Sequence, residues 1–230
     1  DLRHLLIGSE GTLGIITGAT LKLFAQPQTI ETAWVGVNTI GQAVELLTLI
    51  QGHFAERLSS FELVSRYALD LSAKFSQLPQ PIEAQWHIVL ELTDSIRRED
   101  LGDLLAEFLL EHGFDSAVLA QSENERQLFW TLRENISDSQ RKLGASIKHD
   151  IALPIAAVST FIADCAPRLQ AAFADIDIVV FGHLGDGSLH YNTFLPQVLS
   201  NEVYQYEDKI NSIVYESVLK YEGTIAAEHG

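Results

Sequence analysis

The sequence predicts an α+β fold. Segments with strand character and segments with helical spacing alternate along the whole chain, which by itself would allow a parallel sheet. One strand pair, however, is joined by so short a turn, within "FGHLGDGSLHYN", that it must run antiparallel, and this tips the reading toward α+β. At 230 residues and 47% hydrophobic composition, the chain can bury a sizeable core without disulfides or structural metals.

The elements follow in order. "GTLGIITGATLKLF" is rich in β-branched residues and reads as a strand after a glycine-rich loop, and the Gln-Pro-Gln at Gln26 to Gln28 marks a boundary. Residues 1–26 are therefore read apart from 27–230. "TIETAWVGVN" is a second strand, "GQAVELLTLIQGHF" a helix, "RLSSFELVS" a strand, and Ser65 to about Phe75 a helix. "QLPQPIEAQ" is a loop; "WHIVLELT" is a strand, "REDLGDLLAEFLLEHG" a helix closed by Gly113, and "DSAVLAQ" a further strand. The longest predicted helix runs from Glu123 to Leu143, with Ser122 in capping position and Glu125 three residues later. "ASIKHDIAL" is a strand, "PIAAVSTFIADCAPRLQAAF" a helix, and "IDIVVFGHLGDGSLHYNTF" two strands around a tight turn; a last helix covers roughly Asn201 to Lys220.

Composition excludes some partners. A formal net charge of -16 and a pI near 4.7 make nucleic acid and anionic membranes poor guesses. No apolar run reaches the ~18 residues that a bilayer crossing needs. The single cysteine, Cys165, rules out an intrachain disulfide, fits a reducing, cytoplasmic setting, and is expected on an apolar helix face. The ends, "DLRHLLIGSEG" and "AAEHG", in a chain without methionine, read as those of an internal piece of a longer protein.

The chemistry concentrates in the hairpin. With Asp186 and Gly187 as the central pair of a type I′ turn, Gly185 faces Ser188, Leu184 faces Leu189 and His183 faces His190. Directly opposed residues share a face with Cβ atoms roughly 4.5–5.5 Å apart. Two imidazoles so placed can reach one metal through bonds of about 2.0–2.1 Å. The period of two puts Asn192 on the same face. The competing reading is a pair of hydrogen-bonded histidines at a sheet end, and a third ligand would decide between them. "AAEHG" offers Glu228 and His229 as candidates.

A second constellation is cationic. In "LFWTLRENISDSQRKLG", Arg133 and Ser137 are four apart, one turn from each other on a continuous helix, and a guanidinium beside a hydroxyl suits a carboxylate. The alternative is that Arg133 pairs with another acid of this acidic chain. Lys148, inside the apolar strand "SIKHDIAL", must snorkel or meet an anion, with His149 pointing to the opposite face from Lys148 and Asp150.

With "LIGSEGTLGIITGATLKL", "WTLRENIS", "SIKHDIALP", "GHLGDGSLHYN" and "AAEHG" in the same order, the chain resembles, from end to end, the FAD-linked oxidases of the vanillyl-alcohol oxidase type. Within that family it is most similar to the D-2-hydroxyglutarate and D-lactate dehydrogenases. The resemblance implies a large antiparallel sheet covered by helices, a ferredoxin-like substrate (cap) domain over 27–230, with the end of an FAD-binding domain at 1–26. It implies that His183, His190 and Glu228 hold a divalent metal, commonly zinc, and that His229 accepts a proton. Arg133, Ser137, Lys148 and Asn192 would hold substrate carboxylates, and Glu10, Gly11, Thr12, Gly14 and Ile16 would approach FAD through backbone atoms. Ser137 stands where the hydroxyglutarate enzymes carry threonine, which keeps the hydroxyl but loosens the choice of acid.

The function so implied is FAD-dependent oxidation of a D-2-hydroxy acid to the 2-oxo acid, assisted by a metal and passing electrons to an unidentified acceptor. Two acid-binding groups beyond the metal favour 2-hydroxyglutarate over D-lactate or glycolate. A homodimer is compatible with this reading, and the 230-residue piece alone is expected to be inactive. Two other classes compete: a zinc-dependent hydrolase, because two histidines and a glutamate also suit hydrolytic zinc, and a metal or ligand module without catalysis.

Overall fold

In the computed structural model, which describes residues 2–227, the chain after residue 28 forms one seven-stranded sheet flanked by helices on both faces. The strands are β1 (Thr29–Val37), β2 (Leu58–Ser65), β3 (Trp86–Asp94), β4 (Ala117–Leu119), β5 (Asp150–Ala152), β6 (Asp177–His183) and β7 (Ser188–Phe194). Their order is β4-β1-β3-β2-β6-β7-β5, and every neighbouring pair is antiparallel. The helices are α1 (Leu2–Leu6), α2 (Ile40–Phe54), α3 (Arg66–Ser76), α4 (Leu101–Glu111), α5 (Glu123–Glu134), α6 (Ile136–Leu143), α7 (Val158–Ala172) and α8 (Glu207–Lys220). The antiparallel α+β class is as the sequence predicts.

Alternation along the strands sorts side chains into two cores. Phe61, Leu63, Ile88, Leu90, Val180, Leu189 and Tyr191 point to the face covered by α2, α4, α7 and α8. Trp34, Val64, Val89, Val179, Phe181 and Phe194 point to the other face, under α3, α5 and α6. Local signals start these helices where expected: Thr39 and Gln42 form a capping box on α2, and Ser65 and Ser122 cap α3 and α5. Cys165 is buried on α7, as its apolar surroundings in sequence imply.

Three expectations are corrected. First, "GTLGIITGATLKLF" is not a strand here: residues 14–27 have no regular secondary structure and are exposed, Ile15, Leu21, Leu23 and Phe24 among them. The β-branched residues supply propensity, but a strand exists only through a paired neighbour. Second, the predicted helix 123–143 is two helices meeting at Asn135. The buried Ser72 hydroxyl of α3 donates to the Leu132 carbonyl at 2.6 Å, the acceptor that an uninterrupted helix would offer to Ile136, and the Asn135 amide donates to Ser76 Oγ at 3.1 Å. Third, "ASIKHDIAL" contributes only the short strand β5, continued by a single bridge between Ile147 and Thr193.

Candidate active site

The hairpin register differs from the predicted one by two residues. Phe181, not His183, lies opposite His190, and Leu184 to Gly187 form a four-residue loop. Leu184 is fully buried and is drawn into the core, while Asp186 and Gly187 donate their N–H groups to the carbonyls of His183 and Leu184. Asp186 Oδ1 then accepts from Ser188 N at 2.9 Å, so only Gly187, at φ 81°, is left-handed and no type I′ pair forms. Gly182 is needed for a different reason: a Cβ there would overlap the Ser188 carbonyl. A shift of two residues preserves alternation, so His183 and His190 still project from one face, now as diagonal neighbours.

That face carries a connected set of polar groups across four strands. Glu62 on β2 pairs in register with His183 on β6, and its Oε1 lies 2.7 Å from His183 Nδ1. Its Oε2 accepts from Arg133 Nε at 3.0 Å and lies 2.8 Å from Arg133 Nη2, reaching down from α5. The Arg133 guanidinium sits 5.0 Å from the centre of the Phe181 ring, and that ring lies 4.7 Å from the His190 ring. His190 pairs in register with Asp150 on β5, with Nδ1 3.4 Å from Asp150 Oδ1. The Ala227 N–H donates to the Asp150 carbonyl at 3.1 Å, which brings the last described residue alongside β5.

The remaining predicted residues fall around this core. Asn192 is buried; its Nδ2 donates to Gln140 Oε1 at 2.9 Å and its Oδ1 accepts from the His149 backbone N–H at 3.2 Å. Ser137 is exposed near the start of α6, and Arg133 is buried near the end of α5. Lys148 is exposed and borders a hollow of about 370 Å³ together with Arg141, Tyr204 and Glu207. His149 takes the opposite face, as predicted: Nδ1–H donates to the Tyr191 carbonyl at 2.8 Å, Nε2 meets the Asn211 carboxamide at 2.9 Å, and burial lowers its pKa. Glu10, Gly11, Thr12, Gly14 and Ile16 lie in the exposed N-terminal segment, with Thr12 Oγ1 donating to the Ser9 carbonyl. Glu228 and His229 lie outside the described residues.

Sequence reasoning missed Glu62. The signal was present, since "SSFELVS" holds one acid between Phe61 and Leu63, the same anomaly that singled out Lys148. Among the described residues no group of three or more His, Cys, Asp or Glu side chains is placed to hold a metal. Of the two hairpin histidines, His183 meets a carboxylate at Nδ1 within hydrogen-bond distance, the arrangement that orients ligating imidazoles, while His190 Nδ1 stands 3.4 Å from Asp150 without a hydrogen bond to it.

Comparison with known proteins decides the family. The model of the FAD linked oxidases, C-terminal domain, matches residues 26–230. The chain belongs to that family. It is 30% identical, over its full length, to D-2-hydroxyglutarate dehydrogenase of Xanthomonas citri pv. viticola, covering 49% of that protein. It is 32% identical over its full length to a mitochondrial protein of Schizosaccharomyces pombe provisionally named a D-lactate dehydrogenase, covering 46% of it. The chain thus spans about half the length of the curated relatives it matches. In fold it is similar to an alkyldihydroxyacetonephosphate synthase structure, with a TM-score of 0.68 at 14% identity, covering 98% of this chain and 46% of that one. Among the described residues no helix is long and apolar enough to cross a membrane.

Proposed function

We propose that this FAD-linked oxidase C-terminal domain is the substrate-binding part of a flavin-dependent dehydrogenase that oxidises a D-2-hydroxy acid, 2-hydroxyglutarate foremost, to its 2-oxo acid. The observation that carries the reading is the convergence of His183, His190 and Arg133 on one sheet face, beside the point where Ala227 reaches Asp150. The relatives named for D-2-hydroxyglutarate and D-lactate agree with it.

On this reading His183 and His190 hold a divalent cation, zinc first, with Glu228, which follows Ala227 directly in sequence. When bound, such a cation stabilises negative charge developing on the substrate hydroxyl oxygen. His229 accepts the hydroxyl proton, an assignment compatible with its place next to a ligand. Arg133, held against Glu62 and Phe181, offers its remaining N–H groups to a carboxylate, with Lys148, Ser137 and Asn192 completing the acid-binding set. Residues 1–26 belong with the flavin side, where the exposed backbone around Glu10, Gly11, Thr12, Gly14 and Ile16 suits contact with FAD. FAD, when bound, accepts the electron pair that no side chain can hold.

The test is a panel of D- and L-2-hydroxy acids against the full-length protein, read by bleaching of flavin absorbance. D-2-Hydroxyglutarate is expected to bleach fastest, and no L-enantiomer to compete. If no hydroxy acid bleaches the flavin, the reaction class is wrong.

A further inference from the structure

One buried acid touches two of the side chains assigned above and has no role of its own so far. Glu62 sits mid-strand in β2, 4% exposed, where an apolar residue would pack without loss of solvation. Its oxygens are divided between two functional residues: Oε1 to His183 Nδ1 at 2.7 Å, Oε2 to Arg133 Nε at 3.0 Å and Nη2 at 2.8 Å. A buried ion pair is weak evidence for stability and better evidence for fixed geometry.

We propose that Glu62 is a positioning residue that sets the tautomer and ring orientation of His183 while holding Arg133 in the same frame. The inference rests on the reading of His183 as a metal ligand. The Glu62 carboxylate, ion-paired with Arg133, accepts hydrogen bonds, so His183 presents Nδ1–H to it and keeps the lone pair on Nε2, the form that can ligate. The same carboxylate fixes the distance between the cation-binding nitrogen and the carboxylate-binding guanidinium. The two residues are far apart in sequence, and Glu62 bonds to both of them.

A single isosteric change separates this role from mere packing. In Glu62→Gln one oxygen remains, and Arg133, which can only donate, takes it. The amide NH2 then faces His183 Nδ1, which must accept, and the imidazole proton moves to Nε2. Glu62→Asp keeps both acceptors and the original tautomer.

The experiment uses the full-length holoenzyme, stripped of metal and titrated with zinc, as wild type, E62Q, E62D and H183A. Zinc affinity in E62Q is expected to fall about 10–100-fold, with E62D falling less. In the metal-free proteins at pH 8, nitrogen-15 correlation spectra are expected to show His183 protonated at Nδ1 in wild type and E62D, and at Nε2 in E62Q. An E62Q protein with wild-type zinc affinity, or with His183 still protonated at Nδ1, overturns the proposal. If E62Q does not fold, a wild-type His183 protonated at Nε2 overturns it equally. A wild type without zinc, or an H183A variant that retains it, instead refutes the ligand assignment, and the tautomer spectra still decide the role of Glu62.

Discussion

At the scale of single residues, the glycines of "GHLGDG" and the histidines beside them do different work. Gly187 supplies the one left-handed position of the loop, and Gly182 lets β6 approach the Ser188 carbonyl. Gly182→Ala forces backbone to move and is expected to destabilise the protein by roughly 1–3 kcal/mol, with a lowered urea midpoint as the readout. Because Gly182 precedes His183, the same variant should also weaken zinc binding if His183 is a ligand as proposed. For the histidines the prediction divides by role. His183→Ala or Glu228→Ala in the full-length enzyme should remove metal and turnover together, whereas His229→Ala should keep the metal and lose turnover. Metal analysis beside steady-state rates checks both, and full metal occupancy in the first two variants contradicts the assignment.

At the scale of elements, the join between α5 and α6 sets where Arg133 points. Ser72 and Asn135 stitch that join to α3, and Arg133 hangs from the last turn before it. Ser72→Ala leaves the buried Leu132 carbonyl without that donor, a loss of about 1–3 kcal/mol. If Arg133 holds the substrate as proposed, the change should also raise KM for the hydroxy acid more than it lowers kcat. Most elements were legible from sequence because capping residues and apolar periodicity are local: Ser65 and Ser122 each mark a helix start without reference to the rest of the chain. The helix break was not legible, because the contact that accompanies it comes from a serine 60 residues away. The hairpin was legible in type and face but not in register, because burial of Leu184 outweighed the preference of Asp-Gly for a two-residue turn. Glu62 needed the fold for its meaning, since only the β2–β6 register shows which histidine it faces.

At the scale of the whole molecule, a sheet buried on both faces places polar groups where water cannot reach them, and this ties stability to pH. The central case is His87 on β3, fully buried, whose Nδ1 accepts from Trp34 Nε1 at 3.1 Å in the core under α3 and α5. That bond requires a neutral ring. Burial pushes the His87 pKa down to about 4, only partly offset by the charge of Asp70 and the carbonyl of Ala84. In the unfolded chain the same imidazole titrates near 6.5. Above pH 6.5 it is neutral in both states, and its contribution to stability is complete. As pH falls from 6.5 toward 4, the unfolded state takes up a proton that the folded state refuses, so stability declines, and below about 4 the loss is complete. At 1.36 kcal/mol per pKa unit the total is on the order of 3 kcal/mol. His87→Asn leaves an acceptor for Trp34 but nothing to titrate in this range. The fall in urea-unfolding free energy between pH 7 and pH 4.5 should therefore be smaller in His87→Asn than in wild type, by up to about 2–3 kcal/mol. Equal falls in the two proteins would show that His87 takes up its proton in the folded state, and that the sheet interior is wetter than its packing indicates.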